Sequence, residues 1–397
     1  MKKYMYIDSV ISTILVFLTM FLLPVIFEID ILKPFRDTLS DFELTDLSYS
    51  ELHDSALSKA DTNIVIVDVA GMNPLEISNI LHSIGSRKPA AVGIDLPLVK
   101  TGNKFHDKVL EDAFDKLENY VIAVDIMKCG KDKDRFESFS KPEIVINSNY
   151  KFGFHNLLFD LDKEYFTVRS FYPKCKGADT VIGNYAVELL RMSHPGKVER
   201  LLEREYEQEI INYRGSFRKF RFISGADIIS ENYLEGFFED KIILIGKVGA
   251  FRSFELLDNL YFTPLNPLAP GRSFPDMTRT EIHANIISMI LDEHFTGSMP
   301  RWLSIIAAVV FCFINVLIFS IINERSPKWY EISSLMIFLI ESILILYFTV
   351  IIFHDLNYEL NLTEALFAIA LSVFVYQIYA ESLKPMSKGI IKKFKKV

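Results

Sequence analysis

The chain has 397 residues, half of them apolar, and a formal net charge of −8. Such a length holds roughly two or three ordinary domains, and the acidic balance argues against nucleic acid as a partner, because phosphate binding needs a positive face. The three cysteines form no C-x-x-C pair, so neither a zinc site of that spacing nor a thioredoxin-type site is encoded.

In chain order, the first element is an uncharged stretch over residues 9–27. It is as long as the roughly 20 apolar residues needed to cross a bilayer. The run LLPVIFEID that closes it is bulky throughout, so a retained anchor is expected rather than a cleaved signal peptide. Residues 30–300 are expected to form one domain. NIVIVDVA is a short β-branched run and reads as a buried strand. NPLEISNILHSIGS follows as a helix, capped by Asn73 with Pro74 in its first turn. AAVGIDL is a second strand, DKVLEDAFDKLEN a second helix and YVIAVDI a third strand, and this alternation implies parallel pairing. YFTVRSFYP reads as a strand, TVIGNYAVELLRMSH as a helix, QEIINYRG and DKIILIG as strands, and TEIHANIISMIL as a helix. The fold class expected is an α/β extracytoplasmic domain with a mostly parallel, mixed sheet, plus four transmembrane α-helices.

Those helices are residues 9–27, 302–323, 332–353 and 360–380, the second uncharged, the third carrying only Glu341 and the fourth only Glu364. The expected organisation is an N-terminal stub and anchor (1–29), the α/β domain (30–300), a three-helix membrane unit (301–381) and a basic tail (382–397). Lys and Arg near helix ends stay on the cytoplasmic side. Lys2, Lys3, Arg325, Lys328 and the six lysines after Glu381 all satisfy a layout with both termini inside, while HDLNYELN on the opposite side has neither residue type. Anionic lipid at the inner face is therefore an expected partner of the tail.

Candidate chemistry is sparse. GKVGAF after KIILIG is a glycine-containing loop, but it is not G-x-G-x-x-G and no helix is evident after it, so a strand-exit turn competes with a phosphate loop. G-x-x-x-x-G-K-[ST], G-x-S-x-G and H-E-x-x-H are all missing, and no two histidines lie three or four apart. Neither a cofactor nor a metal is expected. Asp68, Asp95 and Asp125 stand at the carboxyl ends of the first three strands, where open parallel sheets frame a ligand crevice. They are candidate ligand-binding residues, and the competing reading is that each caps a turn. Asp160 and Asp162 in DLD read most simply as a hairpin turn. Glu341 lies at mid-membrane depth with Asn315 at a similar level, which points either to a protonatable switch or to a hydrogen-bonded packing contact. Cys129 and Cys175 are able to pair if the domain faces an oxidising compartment, and two unpaired thiols are the alternative.

The order of several short pieces resembles the CHASE2 sensory-domain family. FRDTLSDFEL follows the anchor, then NIVIVDV and AVGIDLPL. FGFHNLLFDLDKEYFTVRSF carries Gly153, Asn156, Asp160, Asp162 and Arg169. INYRG precedes FISGADIISENYLEGFFEDKIILIG, LLDNLYFTP gives Asp258, Thr263 and Pro264, and TEIHAN gives His283, Ala284 and Asn285. GMNPLEISNIL replaces the Trp-Pro and Arg often found after the first strand in that family, and GKVGAFRSFELLDN is divergent. The resemblance implies a bacterial inner-membrane protein with its main domain outside the cytoplasm, signalling toward cytoplasmic kinases or cyclases; it supplies no catalytic residues. Only ESLKPMSKGIIKKFKKV follows the fourth apolar stretch, so the expectation is a non-enzymatic sensor or signal-transmission subunit acting through a separate chain. The alternative is a scaffold subunit of an envelope complex. Envelope or signalling proteins are the expected partners, with a homo-oligomer left open.

Overall fold

The computed structural model describes residues 2–27, 49, 59–100, 102–128, 135–144, 151–157, 167–177, 180–249, 260–266 and 274–386. The chain divides into two compact units, Tyr49–Thr296 and the combination of Met1–Ser48 with Gly297–Val397. The second unit begins with α1 (Lys2–Phe27).

The first unit is built on a six-stranded sheet. Its strands are β1 (Asp61–Asp68), β2 (Ala91–Asp95), β3 (Tyr120–Val124), β4 (Lys151–Phe154), β5 (Phe220–Ser224) and β6 (Ile242–Gly246), in the order β5-β1-β6-β2-β3-β4. Every pairing in it is parallel. The mixed pairing expected for the domain belongs instead to a separate four-stranded sheet made of 126–128, 135–139, 174–177 and 181–183.

Because side chains alternate across a strand, the central runs must be apolar on both faces. Val65, Val67, Val92, Ile94, Ile122, Ile243 and Ile245 share one core with Ile80, Leu81 and Ile84 of α2 (Pro74–Gly85) and Leu110, Ala113 and Phe114 of α3 (Lys104–Phe114). The intervening Ile64, Ile66, Val121, Ala123, Ile242 and Leu244 are also buried. On that face lie α4 (Tyr185–Ser193), followed by α5 (Pro195–Glu203), and α6 (Arg279–Asp292). The result is a helix–sheet–helix sandwich. Asn73 and Glu76 close a reciprocal capping box on α2, which fixes where β1 hands over to the helix.

Three expected elements differ from what forms, one of them QEIINYRG, in which only Glu209–Ile210 is a strand. Residues 180–194 do not make one helix. Val181–Gly183 is a strand paired with 174–176, and Asn184 then caps α4 by accepting from Ala186 N at 3.0 Å. The β-branched pair before Gly183 and the Asn cap outweigh the helical periodicity that begins only at Tyr185. Within the described residues 167–173 of YFTVRSFYP, ladder pairing is limited to Ser170–Phe171 against Glu209–Ile210 and a bridge from Thr167 to Phe262.

In the second unit, α1 packs with α7 (Arg301–Arg325) and α9 (Thr363–Ile378), and α8 (Tyr330–Leu356) packs on α7 and α9. α1, α7 and α8, and the helical run Thr363–Met386 that begins with α9, are each long and apolar enough to cross a membrane. Their shared core contains Val16, Cys312, Val316, Phe319, Tyr330, Ala368 and Tyr376. Asp8 of α1 accepts from the Tyr379 hydroxyl at 2.7 Å and pairs with Lys384 Nζ at 2.6 Å, tying the first helix to the end of the last. Asn315 Nδ2 of α7 donates to Glu341 Oε2 of α8 at 2.6 Å, so the two polar residues singled out in these apolar helices meet each other.

Candidate functional site

Three neighbouring strands end at one place. Asp95 is the last residue of β2, Asp125 follows β3 directly and His155 follows β4 directly. Parallel pairing puts their carboxyl ends side by side, and the imidazole bridges the two acids. His155 Nδ1 lies 2.7 Å from Asp95 Oδ1, and Nε2 lies 2.9 Å from Asp125 Oδ1. The first turn of α6 closes the group from above. Arg279 donates through Nε to Asp95 Oδ2 at 3.2 Å and its terminal nitrogen pairs with Oδ1 at 3.1 Å, while the Thr280 hydroxyl donates to Oδ2 at 3.3 Å. Thr278 and Glu281 form a capping box that starts α6 at this point.

The electrostatics follow from that geometry. Burial alone would raise the Asp95 carboxyl, but Arg279 and His155 hold it far below the usual carboxylate range. Burial also opposes charge on His155, yet Asp95 and Asp125 raise its pKa above the ordinary value, which favours the imidazolium with both N–H groups donating. The His155 hydrogen bond lowers Asp125, whose side chain remains 58 % exposed. Two carboxylates thus face two cations.

Beside this network is a cavity of about 470 Å³. Leu96, Leu98, Val99 and Pro142 form an apolar wall, while Asp125, Ser140, Lys141, Glu143, Lys247 and Arg279 supply polar groups. A site at the carboxyl ends of parallel strands is where open α/β sheets bind ligands.

Asp68 is not brought into this group. Register places it level with Gly246 and Asp95, two strands away, at a spacing of about 10 Å. Its Oδ1 accepts from Ala70 N and Val248 N, each at 3.0 Å, so it caps the turn after β1 and the one after β6. A Cβ on Gly249 would come within 2.8 Å of the Asp68 carboxylate, which gives the GKVG loop a packing reason to be glycine-containing.

The other singled-out residues build the frame. Gly153 of β4 lies against the backbone of Tyr185, leaving no space for a Cβ, and Gly93 of β2 likewise admits the Tyr185 ring. Asn156 clamps the chain after Asp125: Ile126 N donates to its Oδ1 at 2.8 Å, and its Nδ2 donates to Ile126 O at 3.3 Å. His283 is buried and donates from Nε2 to the His155 carbonyl at 3.3 Å; burial lowers its pKa to about 3, so it is neutral. Its ring meets Tyr185 edge-on at 5.1 Å. Asn285 accepts from Arg214 N and Gly215 N and donates to Gly215 O, fastening the YRG turn to α6. The Arg169 carbonyl accepts from Ile211 N at 2.8 Å, and Arg169 does not line the cavity. Asp160, Asp162, Asp258 and Cys129 lie outside the described residues, as does the end of the basic tail.

Sequence reasoning missed His155, Arg279 and Thr280. His155 stands between two residues that were singled out, Gly153 and Asn156, and its place one residue past a strand end was the available signal. Arg279 and Thr280 open the TEIHAN helix, 184 and 185 positions from Asp95, and nothing local joins them.

The family model for the CHASE2 domain matches residues 35–321. No curated protein and no solved structure gives a significant match.

Proposed function

The chain belongs to the CHASE2 family of sensory domains, and from that premise we propose that it is an extracytoplasmic sensor of the inner membrane whose ligand enters the cavity beside Asp95, Asp125 and His155. The observation that carries the reading is the joining of three strand ends and a helix start by one ion-paired network at the wall of a 470 Å³ cavity. A ligand that binds one arrangement of these four elements better than another shifts their balance, which is the thermodynamic requirement for a signal. The four apolar helices anchor the protein, with both ends cytoplasmic as the Lys and Arg distribution favours. In this reading the chain performs no reaction and acts on a separate signalling protein. Asp95 and His155, the buried titratable groups at the cavity wall, are engaged in ion pairs, Asp95 with both His155 and Arg279, rather than held ready for proton transfer.

The test compares crosslinked partners in native membranes for the wild type and Val99→Trp, which fills the cavity from an exposed wall position. A sensor should capture a signalling protein to an extent that the blocked cavity changes. A stoichiometric set of envelope proteins, identical in both, would refute the reading in favour of a scaffold.

A further inference from the structure

Taking the cavity as a ligand site, we infer that its occupant is a small amphoteric molecule with an ammonium-type cation and a carboxylate-type anion, Asp125 receiving the first and Lys247 the second.

Asp125 is the most firmly placed group that still has something to offer. Its N–H donates to Ser140 Oγ at 2.9 Å, and its carbonyl accepts from Ser140 N at 2.8 Å. Asn156 holds the next residue through both its amide atoms. His155 fixes Oδ1 and leaves Oδ2 without a hydrogen bond among the described residues. Five hydrogen bonds therefore aim one half-exposed carboxylate oxygen at a cavity it lines. Such preorganisation removes the ordering cost that weakens recognition by a free side chain.

Asp95 offers nothing comparable, because Arg279, His155 and Thr280 already occupy its oxygens. Asp95 and Asp125 against His155 and Arg279 sum to zero charge. Beyond that quartet the wall carries Lys141, Lys247 and Glu143, and neither lysine has a salt-bridge partner among the described residues. Lys141 Nζ lies 5.7 Å over the Phe139 ring, whereas Lys247 follows β6 directly and is set at the strand ends with the quartet. A purely anionic ligand would desolvate Asp125 Oδ2 without supplying it a donor, and a purely cationic one would leave the Lys247 charge desolvated and unanswered. A ligand bearing both charges answers both. The volume is large for a simple ion and falls in the range of small-molecule sites, and Leu98, Val99 and Pro142 supply a wall for an apolar substituent.

The experiment is a thermal-shift titration of the full chain in detergent with each of the twenty L-amino acids. Every responder is then compared with its matched acid lacking the amine and its matched amine lacking the carboxyl. At least one amino acid should raise the midpoint by about 5 °C at saturation, while its two truncated counterparts bind tenfold or more weakly. Asp125→Asn, which keeps an acceptor for His155, and Lys247→Met should each weaken the amino acid by tenfold or more, read as the ligand-induced shift from each variant's own unliganded midpoint. A matched acid or amine that binds as tightly as its amino acid, and is blocked by Val99→Trp, keeps the cavity as a ligand site and overturns the amphoteric class. Undiminished amino-acid binding in both variants, or no amino-acid response in the wild type, overturns it as well.

Discussion

The ion-paired network makes a quantitative claim about Asp95 and His155. Their contact is 2.7 Å long, and the side chains are 3 % and 7 % exposed, so it is a charge-assisted hydrogen bond shielded from water. Asp95→Asn keeps the shape but leaves Arg279 and His155 without the charge they share, a loss of about 3–5 kcal/mol. His155→Gln removes one bond to each acid while Arg279 continues to neutralise Asp95, and should cost about 1–3 kcal/mol. Because the two residues touch, the double variant should be less destabilised than the sum of the singles, with a coupling of about 1–3 kcal/mol. For a unit of this size each kcal/mol moves the midpoint by about 2–4 °C, so Asp95→Asn alone should lower it by roughly 6–20 °C. Trp302 and Trp329 both belong to the helical unit, so tryptophan fluorescence reports on the wrong part of the chain. Calorimetry of the full chain in detergent, or heat-pulse proteolysis read at sites in the α/β unit, is the suitable assay. Strict additivity, with coupling below about 0.5 kcal/mol, would falsify the pairing.

The pH dependence should be two-sided. The folded pKa of His155 is raised, so its contribution is complete below about pH 6.5 and declines as pH rises through the folded value. The folded pKa of His283 is lowered to about 3, so the unfolded chain takes up that proton first and stability falls from about pH 6.5 downward; Asp95 and Asp125, both depressed, add to the acid loss below about pH 4. Midpoints measured across pH should peak near 6–7, with His155→Gln flattening the alkaline limb and His283→Gln the acid one; an unchanged profile in either variant refutes its assignment. Gly153→Ala should destabilise the α/β unit by about 1–3 kcal/mol, since the obstacle is the Tyr185 backbone rather than a movable side chain, and a neutral result in chemical denaturation would remove that explanation. In the helical unit, Glu341→Leu should weaken the pairing of α7 and α8 by about 0.6–1.7 kcal/mol, and Glu341→Gln by less, in a detergent unfolding titration. Equal losses for Leu and Gln would show that the hydrogen bond to Asn315 is not the source.

What was legible in the sequence was whatever rests on local periodicity. The runs IVIVD, VGID and VIAV declare themselves as strands because buried parallel strands need apolar residues on both faces. The same runs place Asp95 and Asp125 at strand ends. They do not separate these two from Asp68, because that distinction depends on β6 entering between β1 and β2, a pairing set by residues about 180 positions after β1 and about 150 after β2. A search for histidines at helical spacing could not find His155, whose partners are reached across strand ends rather than along a helix face. The helix expected over residues 180–194 failed for a related reason. Gly183 and Asn184 interrupt it, and their role is dictated by the neighbouring strand 174–177.

The position of β6 also bears on how the molecule is made. The sheet's inner slot between β1 and β2 is filled by Ile242–Gly246, which leave the ribosome long after both neighbours. Until then β1 and β2 each present an unsatisfied edge of Val and Ile backbone, the kind of surface that pairs with the wrong chain. Assembly must wait for contacts of large sequence separation, which slows folding and prolongs that exposure. A nascent chain arrested near residue 230 would therefore hold nearly every strand and still lack the one that joins them, leaving it a client for chaperones rather than a smaller version of the domain.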